Sequence, residues 1–278
     1  MSKKKVSSPT TESTKIALYS AVIVAIIGTI TATVNSYSNY VSNKVQIVLP
    51  IAATQTAEAK ISAETEMAAA RISTETKTAE EKISTETQTA NISNSIKSYA
   101  AVIVETLVSR NLLNSNSGTV VWENKETAVT MSVTGAMSAK STNTAPADFV
   151  FFSNVAWNSN DTELTACGFN FRSNNLSSNY TTLLRRNGNV ILWLMSSNGI
   201  EREIASTIIQ RLNKGNGELN NLLLIVEGNR FVFLVNDAVI YDVVDLTLTT
   251  GFVGEVVGTG TNDINTCTFQ DSWLWLVK

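Results

Sequence analysis

The chain has no histidine among its 278 residues. That removes the imidazole base, the commonest nitrogen ligand for metals and the side chain that titrates near neutrality. Charged residues are also scarce, at 16% with a net charge of −3, so no broad basic face exists to hold a phosphate backbone, and nucleic acid is not an expected partner. Cysteine occurs only at Cys167 and Cys267, without CxxC spacing, which argues against a zinc cluster or a thioredoxin-like dithiol. Both cysteines lie in apolar runs. They fit a disulfide that closes a long loop between an early and a late strand, and they fit equally two buried thiols packing as small apolar side chains. GxSxG, P-loop and HExxH motifs are absent, as is a clustered DxDxDG loop, so neither cofactor nor metal is expected.

What is present falls into three textures. Residues 16–34 read IALYSAVIVAIIGTITATV without a charge, about 28 Å of helix against a hydrocarbon core of about 30 Å. Lys3, Lys4, Lys5 and Lys15 precede this block, opposed only by Glu12. The positive-inside bias then predicts a single-pass protein of the cell membrane, with residues 1–15 cytoplasmic and the rest extracellular. A cleaved signal peptide is the rival reading, supported by Thr31-Ala32-Thr33 and opposed by the length of the apolar block. Residues 35–53 form a juxtamembrane segment in which Pro50 is expected to kink or restart the helix.

From Thr54 the sequence repeats with a period of about eleven, as TQTAEAKISAE, TEMAAARISTE and TKTAEEKISTE. Aligned copies give an inner stripe through Ala57, Ile61, Ala68, Ile72, Ala79, Ile83 and Ala90, with Thr54, Thr65, Thr76 and Thr87 beside them. Its steps average about 3.67 residues per turn, the period of a straight or slightly right-handed supercoil. So narrow a stripe stabilises one helix little and calls for sister helices. The alternative, a helix lying on the membrane surface, usually needs a wider apolar face. Residues 54–114 are therefore expected to form a coiled-coil stalk in a homo-oligomer, a trimer being favoured. Ile96 and Ile103 should strengthen its core near the end.

Beyond Gly118 short runs of Val, Phe, Leu and Trp alternate with Asn/Gly turns, the pattern of antiparallel strands. Asn187-Gly188, Asn198-Gly199, Gly228-Asn229 and Asn236-Asp237 each separate two apolar runs, as tight hairpins require. Ile204 to Leu212 remains open between strand and short helix. The predicted fold is thus a transmembrane helix, a long coiled-coil stalk and a C-terminal all-β sandwich or barrel over 119–278.

The order DFVFFSNVAW, ACGFNFR, Tyr180, the Asn187-Gly188 hairpin, NNLLLIVEGNRFVFLVNDAVIYDV, GFVGEVVG and TFQDSWLWLV resembles the concanavalin A-like lectin/glucanase superfamily. It is nearest in feel to laminin-G-like domains and the 3-keto-disaccharide hydrolase fold. The resemblance implies a two-sheet jelly-roll sandwich of about a dozen strands, whose concave face often meets glycans. Glucanases of that superfamily carry a run such as ExDxxE so that acid and nucleophile flank the glycosidic bond. No such run exists here, and an enzyme is not expected. Strand alternation instead nominates Asn170, Arg172 and Trp193, with Tyr180 between them in sequence, as an aromatic platform beside polar donors; the competing reading has Trp193 covered by a loop or a neighbouring head and Arg172 making a structural hydrogen bond. The expected function is presentation of a lectin-like head for carbohydrate binding or adhesion. The alternative is a structural subunit of a surface layer, sheath or filament with no small ligand.

Overall fold

The computed structural model describes residues 32–33, 35–36, 51–160, 164–174, 178–260 and 264–278. The expected membrane span, 16–34, lies outside the described residues apart from Ala32 and Thr33. No helix among the described residues is long and apolar enough to cross a membrane. The chain divides at Glu81/Lys82 into two compact units.

Helix α1, Ile51–Ser109, begins at the residue after Pro50 and runs through the repeats. In the first unit its stripe is open: Ile61 and Ile72 are 53% and 52% exposed, and Ala68 and Ala79 are exposed as well. The third copy continues this, with Ile83 at 55% and Ala90 exposed. Ala57 lies outside the residues whose side chains are described. One feature recurs in register with the repeat. The stripe threonines Thr65, Thr76 and Thr87 each donate their hydroxyl to the carbonyl of the isoleucine four residues earlier, at 2.7, 2.8 and 2.8 Å. With the hydroxyl hydrogen occupied along the helix's own backbone, each threonine presents its γ-methyl more than its polarity.

In the second unit the same helix changes role. Ile96, Ala100, Val104 and Leu107 are buried, with Ile103 packed beside them. Their steps of four, three, one and three set them on one helical face. That face meets Val150, Phe152, Leu223, Ile225, Val232, Leu234, Trp273 and Trp275. The sequence reading gives Ile96 and Ile103 to sister helices, and the structure packs them against the chain's own sheet instead. The physical reason is the far larger apolar area on offer there. The helix ends in a Schellman motif: the Leu112 amide donates to the Leu107 carbonyl and the Asn111 amide to Val108, with Asn111 left-handed at φ 56°. Leu112 then packs against the same cluster.

Twelve strands follow: β1 Gly118–Met131, β2 Met137–Ser141, β3 Phe149–Ser159, β4 Ala166–Asn174, β5 Ser178–Arg185, β6 Asn189–Ser196, β7 Gly199–Ile208, β8 Leu219–Glu227, β9 Arg230–Val235, β10 Ala238–Val244, β11 Phe252–Gly258 and β12 Asn265–Val277. They form sheet A, ordered β1-β12-β3-β8-β9-β10, and sheet B, ordered β2-β11-β4-β5-β6-β7, with every pairing antiparallel. This is the two-sheet jelly-roll sandwich that the concanavalin A-like resemblance implies. The four expected hairpins are present, and Gly188, Gly199, Gly228, Asn236 and Asp237 have positive φ, as their turns demand. Of the segment Ile204 to Leu212, the first five residues end β7 at Ile208 and the rest form neither strand nor helix.

The runs FVFF in β3, LLLIV in β8 and FVFLV in β9 lack the usual polar alternation because both faces of those strands are covered. Phe149, Phe151, Leu222, Leu224, Phe231 and Phe233 enter the core between the sheets, and their alternating neighbours lie under the helix. Cys167 of β4 and Cys267 of β12 join the two sheets as a disulfide with Cα atoms 5.8 Å apart, closing a loop of sequence separation 100. Closure of so long a loop stabilises by roughly 4–5 kcal/mol in the chain-entropy picture.

A polar seam crosses this apolar core. Glu255 of β11 is 1% exposed, its Oε1 2.7 Å from Ser272 Oγ, which lies 2.8 Å from Ser153 Oγ. Burial pushes the carboxyl up to about 7, against smaller opposing effects of the Ser272 hydroxyl and Lys140. The folded state therefore binds this proton more tightly than the unfolded chain does. Its contribution is complete below about pH 4.5 and is lost as the pH rises through 7, amounting to about 3 kcal/mol.

Two outcomes follow for stability. Leu107→Ala should cost about 2–4 kcal/mol in urea unfolding followed by tryptophan fluorescence, since Leu107 shares its cluster with Trp273 and Trp275. Glu255→Gln should flatten the decline in melting temperature between pH 5 and pH 8, and an unchanged slope would remove Glu255 as its source.

Candidate functional site

The two outer faces of the sandwich differ. That of sheet A is covered by α1, whereas sheet B carries a groove of about 460 Å³, within the usual range for small-ligand sites. It is lined by Met137, Leu164, Ala166, Leu183, Arg185, Trp193, Met195 and Ile200, with glycines and Thr259 at its end.

The groove follows from register and size. In β4, β5 and β6 the residues facing the core are Cys167, Phe169, Phe171, Tyr180, Leu184, Val190, Leu192 and Leu194. Alternation sends Asn170, Thr181, Leu183, Arg185, Trp193 and Met195 to the other side. One cross-strand row there runs Met137, Gly258, Ala166, Arg185. Gly258 and Ala166 carry so little bulk that a trough opens between Met137 and Arg185. Ala166, Leu183 and Val256 make its buried floor, with Trp193 packed against them. The Arg185 guanidinium lies over the Trp193 ring at 5.7 Å, and the indole Nε1–H points to Glu203 at a long 3.4 Å.

A second row runs Gly254, Asn170, Thr181, Trp193. Asn170 and Trp193 thus share one face, two strands and about 10 Å apart. Asn170 sits where Gly254 makes room, since a Cβ at residue 254 would lie 2.6 Å from its Oδ1. That Oδ1 is buried without a hydrogen-bond donor.

Arg172 and Tyr180 do not join them. Strand alternation sends Arg172 outward, but the register of β4 breaks after Phe171 and Arg172 adopts φ 51°, turning its side chain inward. There it is buried, donating to the carbonyls of Leu248 at 2.7 Å, Ala147 at 3.3 Å and Gly228 and lying over Phe231 at 5.0 Å. It ties three loops together. Tyr180 is a core residue whose hydroxyl donates to Asp245 Oδ1 at 2.5 Å and accepts from the Leu248 amide at 3.0 Å. Burial works to raise the Asp245 carboxyl, but donors from Tyr180, Thr247 and Arg202 outweigh it and hold the group well below the usual carboxylate range.

Arg185, Met137 and Leu183 are the groove residues that sequence reasoning passes over. Arg185 and Leu183 carry the same parity signal as Trp193, whereas Met137 lies on the unforeseen β2. Among the described residues no group of three or more Asp, Glu, Cys or His is placed to hold a metal ion. Tyr180→Phe should cost about 1–3 kcal/mol by leaving Asp245 short of a donor, read by denaturant unfolding, while Trp193→Ala should leave stability within about 1 kcal/mol.

No protein-family model and no curated protein matches the chain. Among solved structures it is similar to the carbohydrate-binding module CBM66 from Bacillus subtilis, at 18% identity over 56% of this chain and 94% of that one, with a TM-score of 0.45. It is also similar to the galectin LEC-6 from Caenorhabditis elegans, at 15% identity over 54% and 94% with a TM-score of 0.33. A prokaryotic lichenase derived from a mouse hindgut metagenome matches at 8% identity over 50% and 67%, with a TM-score of 0.35. With TM-scores under 0.5 these likenesses carry no argument, and the jelly-roll description rests on the two six-stranded sheets themselves.

Proposed function

We propose that the chain is a membrane-anchored, oligomeric surface protein whose head binds carbohydrate on the outer face of sheet B. The observation that carries the reading is the groove of about 460 Å³ with Trp193 in its wall. An indole on an otherwise apolar surface, with an arginine beside it, suits the apolar faces and hydroxyl edges of a sugar. Hydrolysis would need two carboxylates flanking the scissile bond. None of the described residues lining the groove is acidic, which favours binding over cleavage.

Anchoring is supported by the uncharged block at 16–34 and the lysines before it, and an extracellular head suits the disulfide between Cys167 and Cys267. Oligomerisation is supported by the repeated Ala/Ile stripe left exposed along α1, whose back-bonded threonines make it more apolar than its composition suggests. Three copies on one bundle would turn weak single-site contacts into avidity.

A glycan array probed with the full chain should give saccharide signals that Trp193→Ala reduces at least tenfold, and a blank array with folded protein would contradict the reading. Replacing Ile61, Ile72 and Ile83 together by Asn should convert the trimer expected from light scattering into monomer without lowering the melting temperature of the head. A monomeric parent chain would overturn the oligomer.

A further inference from the structure

We propose that the saccharide held at this face is anionic, bearing a carboxylate or sulfate that Arg185 grips. The proposal rests on the carbohydrate reading above and narrows it to a ligand class.

The arginines of the head show what is unusual about this one. Arg172 and Arg186 donate to backbone carbonyls, Arg202 and Arg230 are paired with Asp245 and Asp242, and Arg211 has no described acceptor but stands exposed in water, away from the groove lining. Arg185 is half-buried, and its guanidinium has the Trp193 ring as its described contact, with no described oxygen as acceptor. It is also the one charged residue among the described lining of the groove. Among the described residues its positive charge has no carboxylate partner. The anion that would offset it is therefore expected from outside the chain.

Geometry favours the same conclusion. The guanidinium carbon lies 5.7 Å from the Trp193 ring centroid, a cation–π contact that occupies none of the group's N–H donors with an acceptor oxygen. The cross-strand neighbour of Arg185 is Ala166, and beyond that lies Gly258, with Met137 and Leu183 side-chain atoms 3.4 and 3.6 Å from where a Cβ there would stand, so the groove on that side is walled by apolar side chains and offers no competing charge. An oxyanion entering there would meet a planar fork of donors, the arrangement that takes carboxylate and sulfate bidentately. The apolar floor of Ala166, Leu183 and Val256 lowers the local dielectric and strengthens the pairing. Glu203 of β7, two strands from Arg185, forms no described ion pair with it; one of its carboxylate oxygens lies 3.4 Å from the Trp193 Nε1–H. It braces the indole, while Glu201 lies two residues away on β7 and is exposed.

The test is calorimetric titration of the full chain with matched probes: lactose, sialyllactose and 3-O-sulfolactose, then neutral galactan against galacturonan. At least one charged member is expected to bind about tenfold or more tightly than its neutral counterpart at low salt, with the preference shrinking at 0.5 M salt. Comparison of the carboxylated and sulfated members identifies which oxyanion is taken. Arg185→Gln should abolish the preference, bringing the charged probes down to the affinity of their neutral counterparts for the same variant, with Arg185→Lys keeping part of it. Equal binding of neutral and charged probes, or a preference that survives Arg185→Gln, overturns this proposal and leaves the carbohydrate reading standing. Failure of the folded chain to bind any member at millimolar concentration counts against both.

Discussion

The docking of one helical face onto sheet A is the constraint on which the rest of the second unit depends. Ile96, Ala100, Val104 and Leu107 close over Phe152, Leu223, Ile225, Val232, Leu234, Trp273 and Trp275. Without that cover sheet A would expose a contiguous apolar surface of a size that soluble proteins rarely tolerate. The Schellman motif at Asn111 fixes where the helix stops and the first strand can begin. Helix and sandwich are thus one folding unit from Lys82 onward, and the boundary between them in sequence is not a boundary in packing.

That cover also decides where a ligand can go. A sandwich has two outer faces, and with one occupied by the chain itself only sheet B remains. Its inner side is tied to sheet A by the Cys167–Cys267 disulfide and by the seam of Glu255, Ser272 and Ser153, and Arg172 fastens the loops at one end. Sheet B is held against sheet A by these interactions. The small residues Gly258 and Ala166, set in register opposite Arg185, then shape a trough on it without any loop having to move.

Much of this is legible in the sequence. Strand alternation alone puts Asn170 and Trp193 on one side of sheet B, and the Asn-Gly pairs mark the hairpins because those positions need φ > 0. Alternation fails at Arg172, where a break in register after Phe171 reverses the side chain. A single irregular residue leaves no periodic trace, so pattern reading sends it the wrong way. Tyr180 illustrates a different limit: an aromatic hydroxyl satisfied by Asp245 sixty-five residues later is indistinguishable in sequence from an exposed one. Ile96 and Ile103 are assigned to sister helices for a related reason, since periodicity shows that a face is apolar and not what covers it. A clue lay in FVFF, LLLIV and FVFLV. Strands without polar alternation need cover on both sides, and the helix immediately before them is the nearest element able to supply it.

The account therefore reduces to a division of labour between two faces: sheet A sealed by the helix, sheet B free to hold a saccharide. Hydroxyl-radical footprinting of the full chain, with and without sialyllactose, addresses both halves at once because tryptophan and methionine report most readily. The account predicts that Trp273 and Trp275 resist oxidation in either state, while Trp193, Met195 and Met137 react in the free protein and are protected by the sugar. Oxidation of Trp273 at the rate of an exposed indole, or protection that spares Trp193, would contradict it.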